Sequence, residues 1–96
     1  RSAAGNVVGG GDLLAQTRQV YRNLGIALSA AGAAFADVVK LNVYVVGYQP
    51  EHRALLQSVR EQHVSKDHPP ASTLIGVQAL ARPEYLVEIE AIAVIA

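Results

Sequence analysis

At 96 residues the chain is long enough for one domain and one modest hydrophobic core. Half of it is hydrophobic (51%) and 17% is charged, and eight basic residues balance eight acidic ones to a formal net charge of zero. This composition lacks the basic footprint of a nucleic-acid binder, the absence of cysteine rules out a disulfide framework, a thiol nucleophile and a Cys-based zinc site, and no run of about 18 apolar residues offers a transmembrane helix.

The missing cysteine fits a cytoplasmic protein. Methionine is also absent and the first residue is Arg1, so the sequence is expected to be a fragment or a processed product. The segment from Arg1 to Asn6 is small and polar and reads as a loose end. Asn6, Val7 and Val8 form a candidate short strand, and Gly9, Gly10 and Gly11 a turn. The glycines lack both phosphate-loop patterns, and Asp12 would repel a phosphate at the helix start that follows. Asp12 is instead a good N-cap. A helix is predicted from there to about Ala31, with Leu13, Thr17, Val20, Leu24, Leu28 and Ala31 on one stripe. Gln16, Arg18, Gln19 and Arg22 fall mostly off that stripe. Gly32 is the expected left-handed C-terminal cap.

A strand is predicted over Val38–Tyr48, with Val39, Leu41, Val43 and Val45 on an apolar face and Val38, Lys40, Asn42, Tyr44 and Val46 on a mixed one. Pro50 opens a second helix at a first-turn position, striped by His52, Leu55, Leu56, Val59 and His63. Lys66 to Pro70 is a stiff loop because proline restricts itself and its predecessor. The next strand, Ala71–Gln78, sends Ala71, Thr73, Ile75 and Val77 one way and Ser72, Leu74, Gly76 and Gln78 the other. Ala81 to Glu84 turns the chain into a last strand, Leu86–Ile95. Its Val87, Ile89, Ala91, Ala93 and Ile95 are all apolar; Leu86, Glu88, Glu90, Ile92 and Val94 mix two carboxylates with large aliphatics.

The element order is therefore β-α-β-α-β-β. The aliphatic strand faces suit two helices laid across them, which gives a two-layer α+β sandwich. The opposite face is expected to carry Lys40, Asn42, Tyr44, Ser72, Gln78, Glu88 and Glu90 among aliphatics. A monomer would expose that patch to water, so another subunit is expected to cover it.

Several stretches together resemble the Rid family (reactive intermediate deaminase, also called YjgF or L-PSP endoribonuclease-like). They are Gly11 and Asp12 with Gln16, Thr17, Arg18, Gln19 and Asn23; Ala31 and Gly32; Asp37 to Lys40 ahead of Val43 and Val45; Pro70 and Ala71; and the run Val87 to Val94, the most specific piece. The resemblance covers the chain from about Asn6 to its end. It implies a chorismate-mutase-like fold, a mixed sheet with two helices on one face, in one domain spanning residues 1–96. The two N-terminal strands of the family are missing from this sequence. It also implies a homotrimer with small-molecule clefts between subunits, and no cofactor is expected; the neutral charge, the lack of a long apolar run and the histidine spacing add the expectation of no nucleic acid, no membrane and no metal.

Active members of the family hydrolyse enamines and imines derived from amino acids, releasing ammonia and a 2-keto acid. Their defining arginine, two residues after the matching proline, pairs with the substrate carboxylate in a bidentate way. Here that position is Ser72. Losing the clamp removes several kcal/mol of binding at roughly 1.5–3 kcal/mol per charged hydrogen bond. The family's common cysteine position is Leu74, and its water-ordering glutamate corresponds to Glu88, which is present. The resemblance thus points to a subgroup without the catalytic arginine.

The expected reading is a trimer that hydrolyses or deaminates a small C–N metabolite other than the standard imine. Glu88 would position water, and Ser72, Leu74 and Arg53 would line the substrate site, Arg53 supplying a guanidinium from another direction. Each residue also has a structural reading: Glu88 as an interface carboxylate, Ser72 as a gap filler, Arg53 and Arg82 as solvated residues. Glu90 reads as an interfacial salt-bridge partner, Tyr44 as a plug in the trimer seam and Lys40 as a counter-charge to Glu88 or Glu90. His52, His63 and His68 show no metal spacing. The alternatives are a non-catalytic trimer that binds a metabolite or a partner and, remotely, a ribonuclease, which neutral charge and missing aromatic platforms oppose.

Overall fold

Asp12 starts the first helix as the sequence predicts. In the computed structural model, which describes residues 12–95, its side chain accepts the Ala15 N–H at 3.1 Å and α1 runs over Leu13–Ala30. Gly32 ends it in the left-handed region, at φ 78°, where a side chain would be strained. The Gly32 N–H donates to the Ser29 carbonyl and the Ala33 N–H to the Leu28 carbonyl, at 3.0 and 2.8 Å, which is a Schellman cap. The predicted strand at Asn6–Val8 and the turn at Gly9–Gly11 lie outside the described residues.

The buried face of α1 is set by Gln16, Thr17, Tyr21 and Leu28. This is a correction to the predicted stripe, which left out Gln16 and Tyr21 and included Ala31, an exposed residue here. Val20 and Leu24 are half-buried on the flank. The core-facing row is shifted by about one position, because the Gln16 amide bonds the backbone ahead of the last strand and the Tyr21 ring stacks on His63, contacts that periodicity alone does not foresee.

A single 3₁₀ turn, Phe35–Asp37, leads into β1, Val38–Val46. The helix α2, His52–Arg60, then carries the chain across to β2, Ala71–Val77. β3, Val87–Ala93, follows and is shorter at both ends than predicted. The sheet order is β2-β1-β3, with β1 parallel to β2 and antiparallel to β3. A parallel pair needs a crossover, and α2 supplies it.

The start of β1 carries an irregularity. Val38 pairs with Ala93 and Lys40 with Ile92, so Val39 has no opposite partner. This bulge turns Val38 inward, where it is buried, and leaves Val39 49% exposed. The predicted apolar face of Val39, Leu41, Val43 and Val45 is therefore Val38, Leu41, Val43 and Val45.

Both helices pack on this face. Tyr21 and Leu28 of α1 and Val59 of α2 meet Val38 and Leu41 in one cluster, and Leu56 meets Val43, Val45 and Val87 in another; Ile89 touches both. Leu41, Val45 and Val59 are wholly buried, each contributing about 1.5–3 kcal/mol relative to exposure. The result is the expected two-layer α+β sandwich with two helices on one side of a mixed sheet. The opposite side is open in the single chain, leaving Ile75, Ile92 and Val94 exposed. No helix among the described residues is long and apolar enough to cross a membrane.

Candidate functional site

The face of α2 that looks toward β2 carries Arg53 and, three, four and seven residues further on, Leu56, Gln57 and Arg60. Such spacing stacks side chains along one helix face. In the parallel register Ser72 pairs with Leu41 and Leu74 with Val43. Directly paired residues share a sheet face, so Ser72 and Leu74 point to the helix side. The α2 face and these two residues, with Tyr21, Val43 and Ile89, line a cleft of about 190 Å³.

The cleft is cationic. It holds two guanidiniums and no carboxylate among its lining residues. The side-chain ion pair present among the described residues, Arg82 with Glu84 at 2.7 Å, lies elsewhere. Glu61 follows Arg60 in sequence, but its carboxylate accepts the Gln57 amide at 3.4 Å. Tyr21 forms the buried wall, and burial pushes its hydroxyl above the ordinary tyrosine range against the pull of the Arg60 charge.

Three of the four residues singled out from sequence, Arg53, Ser72 and Leu74, thus come together. Glu88 does not join them. It pairs with Tyr44 across β1 and β3 and is exposed on the open face. Placing Ser72 on the open face beside Glu88 is corrected here. Alternation within β2 sorts its residues into two sets, and the pairing register then decides which set meets the core. Arg60, Gln57 and Tyr21 are cleft residues that the sequence reading did not single out. The spacing from Arg53 to Arg60 on a helix predicted to pack against the sheet is a signal that would have found two of them.

The open face has its own polar cluster. Glu90 Oε1 accepts the Tyr44 hydroxyl at 2.6 Å and the Asn42 amide at 3.0 Å. These bonds hold the Glu90 carboxyl below its ordinary value, the Tyr44 bond contributing most. The same bond raises the Tyr44 phenol. Lys40 donates to Thr73 Oγ1 at 2.9 Å, so its predicted role as counter-charge to Glu88 or Glu90 is not what the chain builds. Among the described residues Glu88 accepts no hydrogen bond and forms no ion pair.

The remaining candidates are structural. Arg82 pairs with Glu84 and lies 5.9 Å from the centre of the Tyr85 ring. His52 Nδ1 accepts the Gln49 N–H at 3.0 Å at the start of α2. His63, just past α2, stacks on Tyr21 with ring centres 5.2 Å apart. No histidine lines the Ser72 cleft, and no group of three metal-binding side chains occurs among the described residues.

Known proteins share both sequence and fold. Residues 1–95 match the endoribonuclease L-PSP family. A RutC family protein from Pyrococcus horikoshii is 36% identical over 83 residues, which cover 86% of this chain and 63% of that protein. The chain therefore spans less than two thirds of the length of this relative. The crystal structure of a Rid-family protein of unknown function from Yersinia pestis is 48% identical and superposes with a TM-score of 0.86, over 98% of this chain and 71% of that one. A YjgF/YER057c/UK114 family member from Mycobacterium tuberculosis is 39% identical with a TM-score of 0.79, over 92% and 72% of the two chains. With that match along nearly its whole length, and with the two-layer fold of these structures, the chain belongs to the endoribonuclease L-PSP family, the family also known as YjgF or Rid.

Proposed function

We propose that the chain assembles into a cytoplasmic homotrimer that hydrolyses or deaminates a small C–N metabolite other than the standard amino-acid-derived imine. The observation that supports this is the cleft between α2 and β2, lined by Ser72, the residue that the family resemblance matches to the arginine of active Rid members. Its size suits a small molecule, and its lining mixes aliphatic and convergent polar groups, the usual make-up of a ligand site.

Glu88 supplies the water-positioning carboxylate from a neighbouring subunit. Within one chain it stands across the sheet from Ser72, on the exposed side where Ile75, Ile92 and Val94 call for cover. When that side meets a second copy, its unpaired carboxylate is free to face the copy's cleft. There it takes a proton from water as the water oxygen bonds to the substrate carbon. Glu88 passes that proton, and then the one left on the added oxygen, to the nitrogen; the oxygen closes to a C=O bond as the C–N bond breaks and ammonia leaves.

The location of Glu88 outside its own chain's cleft also supports a second reading, a trimer that binds a metabolite without turnover. Ammonia release from a panel of small imines, enamines, carbamates and amides separates the two. Turnover of at least one compound, lowered about 10²–10⁴-fold in Glu88→Gln, supports the enzyme. Binding without turnover supports the binding module.

A further inference from the structure

Arg53 and Arg60 leave the same face of α2 two helical turns apart, about 10 Å along the axis, and both line the Ser72 cleft. Neither forms an ion pair among the described residues. Gln57 lies between them, and Ser72 and Leu74 form the wall opposite. A single anionic group would neutralise one guanidinium and leave the other facing it in a partly enclosed space. We infer that this cleft recognises a small molecule bearing two separate anionic groups on a short carbon chain, a dicarboxylate in its simplest form, with Arg53 holding one end and Arg60 the other.

The inference rests on the reading that this cleft is the small-molecule site, and it names the substrate class. It also gives the Ser72 position a physical reason. An arginine there would bring a third guanidinium into a cleft that already has two. Serine removes that repulsion and leaves a neutral hydroxyl to meet the middle of the ligand, alongside the Gln57 amide. Arginine suits both ends because its planar fork matches a carboxylate with two parallel hydrogen bonds.

Calorimetric titration of the full-length protein at low salt tests this with succinate, butyrate and inorganic phosphate as probes. Succinate is expected to bind at least tenfold more tightly than butyrate. Arg53→Gln and Arg60→Gln should each weaken succinate about tenfold and bring it near the butyrate level, while Arg60→Lys recovers part of the loss. Arg18→Gln, on an exposed part of α1, removes the same charge and should leave succinate binding unchanged. Succinate binding no tighter than butyrate overturns the inference, as does an Arg18→Gln loss equal to that of Arg60→Gln. Phosphate binding as tight as succinate overturns it too, because both guanidiniums would then converge on one group. These measurements need no turnover, so the absence of hydrolysis would sink the enzymatic reading and leave the two-anion site standing.

Discussion

Ser72 and Glu88 belong to strands that flank the same central strand, yet their side chains leave the sheet on opposite sides. Ser72 lies beside Leu41 in the core-facing register, and Glu88 lies beside Tyr44 on the open face. A site that uses both must take them from two copies of the chain. Under the proposed function the assembly is then part of the chemistry, and that has a direct test.

Two inactive proteins should then rescue each other. Leu74→Trp fills the cleft, and Glu88→Gln removes the carboxylate. Each alone is expected to lose turnover. Unfolded and refolded together in equal amounts, they should regain ~25% of wild-type activity, because one in four random neighbours in a head-to-tail ring joins an open cleft to an intact Glu88. Ammonia release by the mixture is the readout. A mixture as inactive as its parents would mean that each site is built within one subunit.

An arginine in place of Ser72 should not by itself confer hydrolysis of amino-acid-derived imines. Ser72→Arg adds a third guanidinium beside Arg53 and Arg60, and like charges at close range oppose one another. The single variant is expected to gain no hydrolysis of amino-acid-derived imines. The pair Ser72→Arg with Arg60→Gln returns the cleft to two guanidiniums and is expected to gain at least tenfold over the single variant. Steady-state ammonia release on such an imine, compared across the three proteins, checks this.

Gln16 acts as a clamp rather than a surface residue. Its side-chain amide donates to the Glu84 carbonyl and its oxygen accepts the Leu86 N–H, both at 2.9 Å. It fastens α1 to the backbone just before β3. Gln16→Ala leaves these backbone groups without that partner in a region where Gln16 is 5% exposed, a cost of about 1–3 kcal/mol. Urea unfolding at fixed protein concentration measures it. Gln16→Glu keeps the shape and the acceptor but loses the donor to Glu84, so it should also destabilise.

The Glu90 cluster predicts a pH window. Glu90 titrates lower in the folded chain than in the unfolded one. Its contribution is therefore present above the ordinary carboxyl range and is lost as pH falls through the folded value. Tyr44 titrates higher when folded, so its contribution is present below the ordinary phenol range and is lost as pH rises through the folded value. Glu90→Gln should flatten the acid limb of a urea-midpoint profile against pH and also lessen the alkaline fall, since it weakens the carboxylate hydrogen bond that raises Tyr44 and removes the charge beside it. An unchanged profile in Glu90→Gln would show that the cluster contributes nothing to stability.

Local chemistry made much of the fold legible. Asp12 and Gly32 mark the ends of α1 because a capping oxygen and a left-handed residue are needed there whatever the rest of the chain does. Period-two alternation in β3 separates Val87, Ile89, Ala91 and Ala93 from Glu88, Glu90 and Ile92, and the structure keeps that division. The family could be read from the same residues, above all the run Val87 to Val94. What only the tertiary structure decided was how these pieces face one another. The bulge at Val39 exchanges which valine enters the core, because strand pairing between β1 and β3 skips one residue. The parallel register with β1 sends Ser72 inward, because two alternating sets in β2 are equivalent until a neighbour selects one. Arg60 and Gln57 join Arg53 in the cleft because α2 packs with that face toward β2. Sequence spacing carries the chemistry of each element; the side of the sheet on which a side chain emerges is a property of the pair.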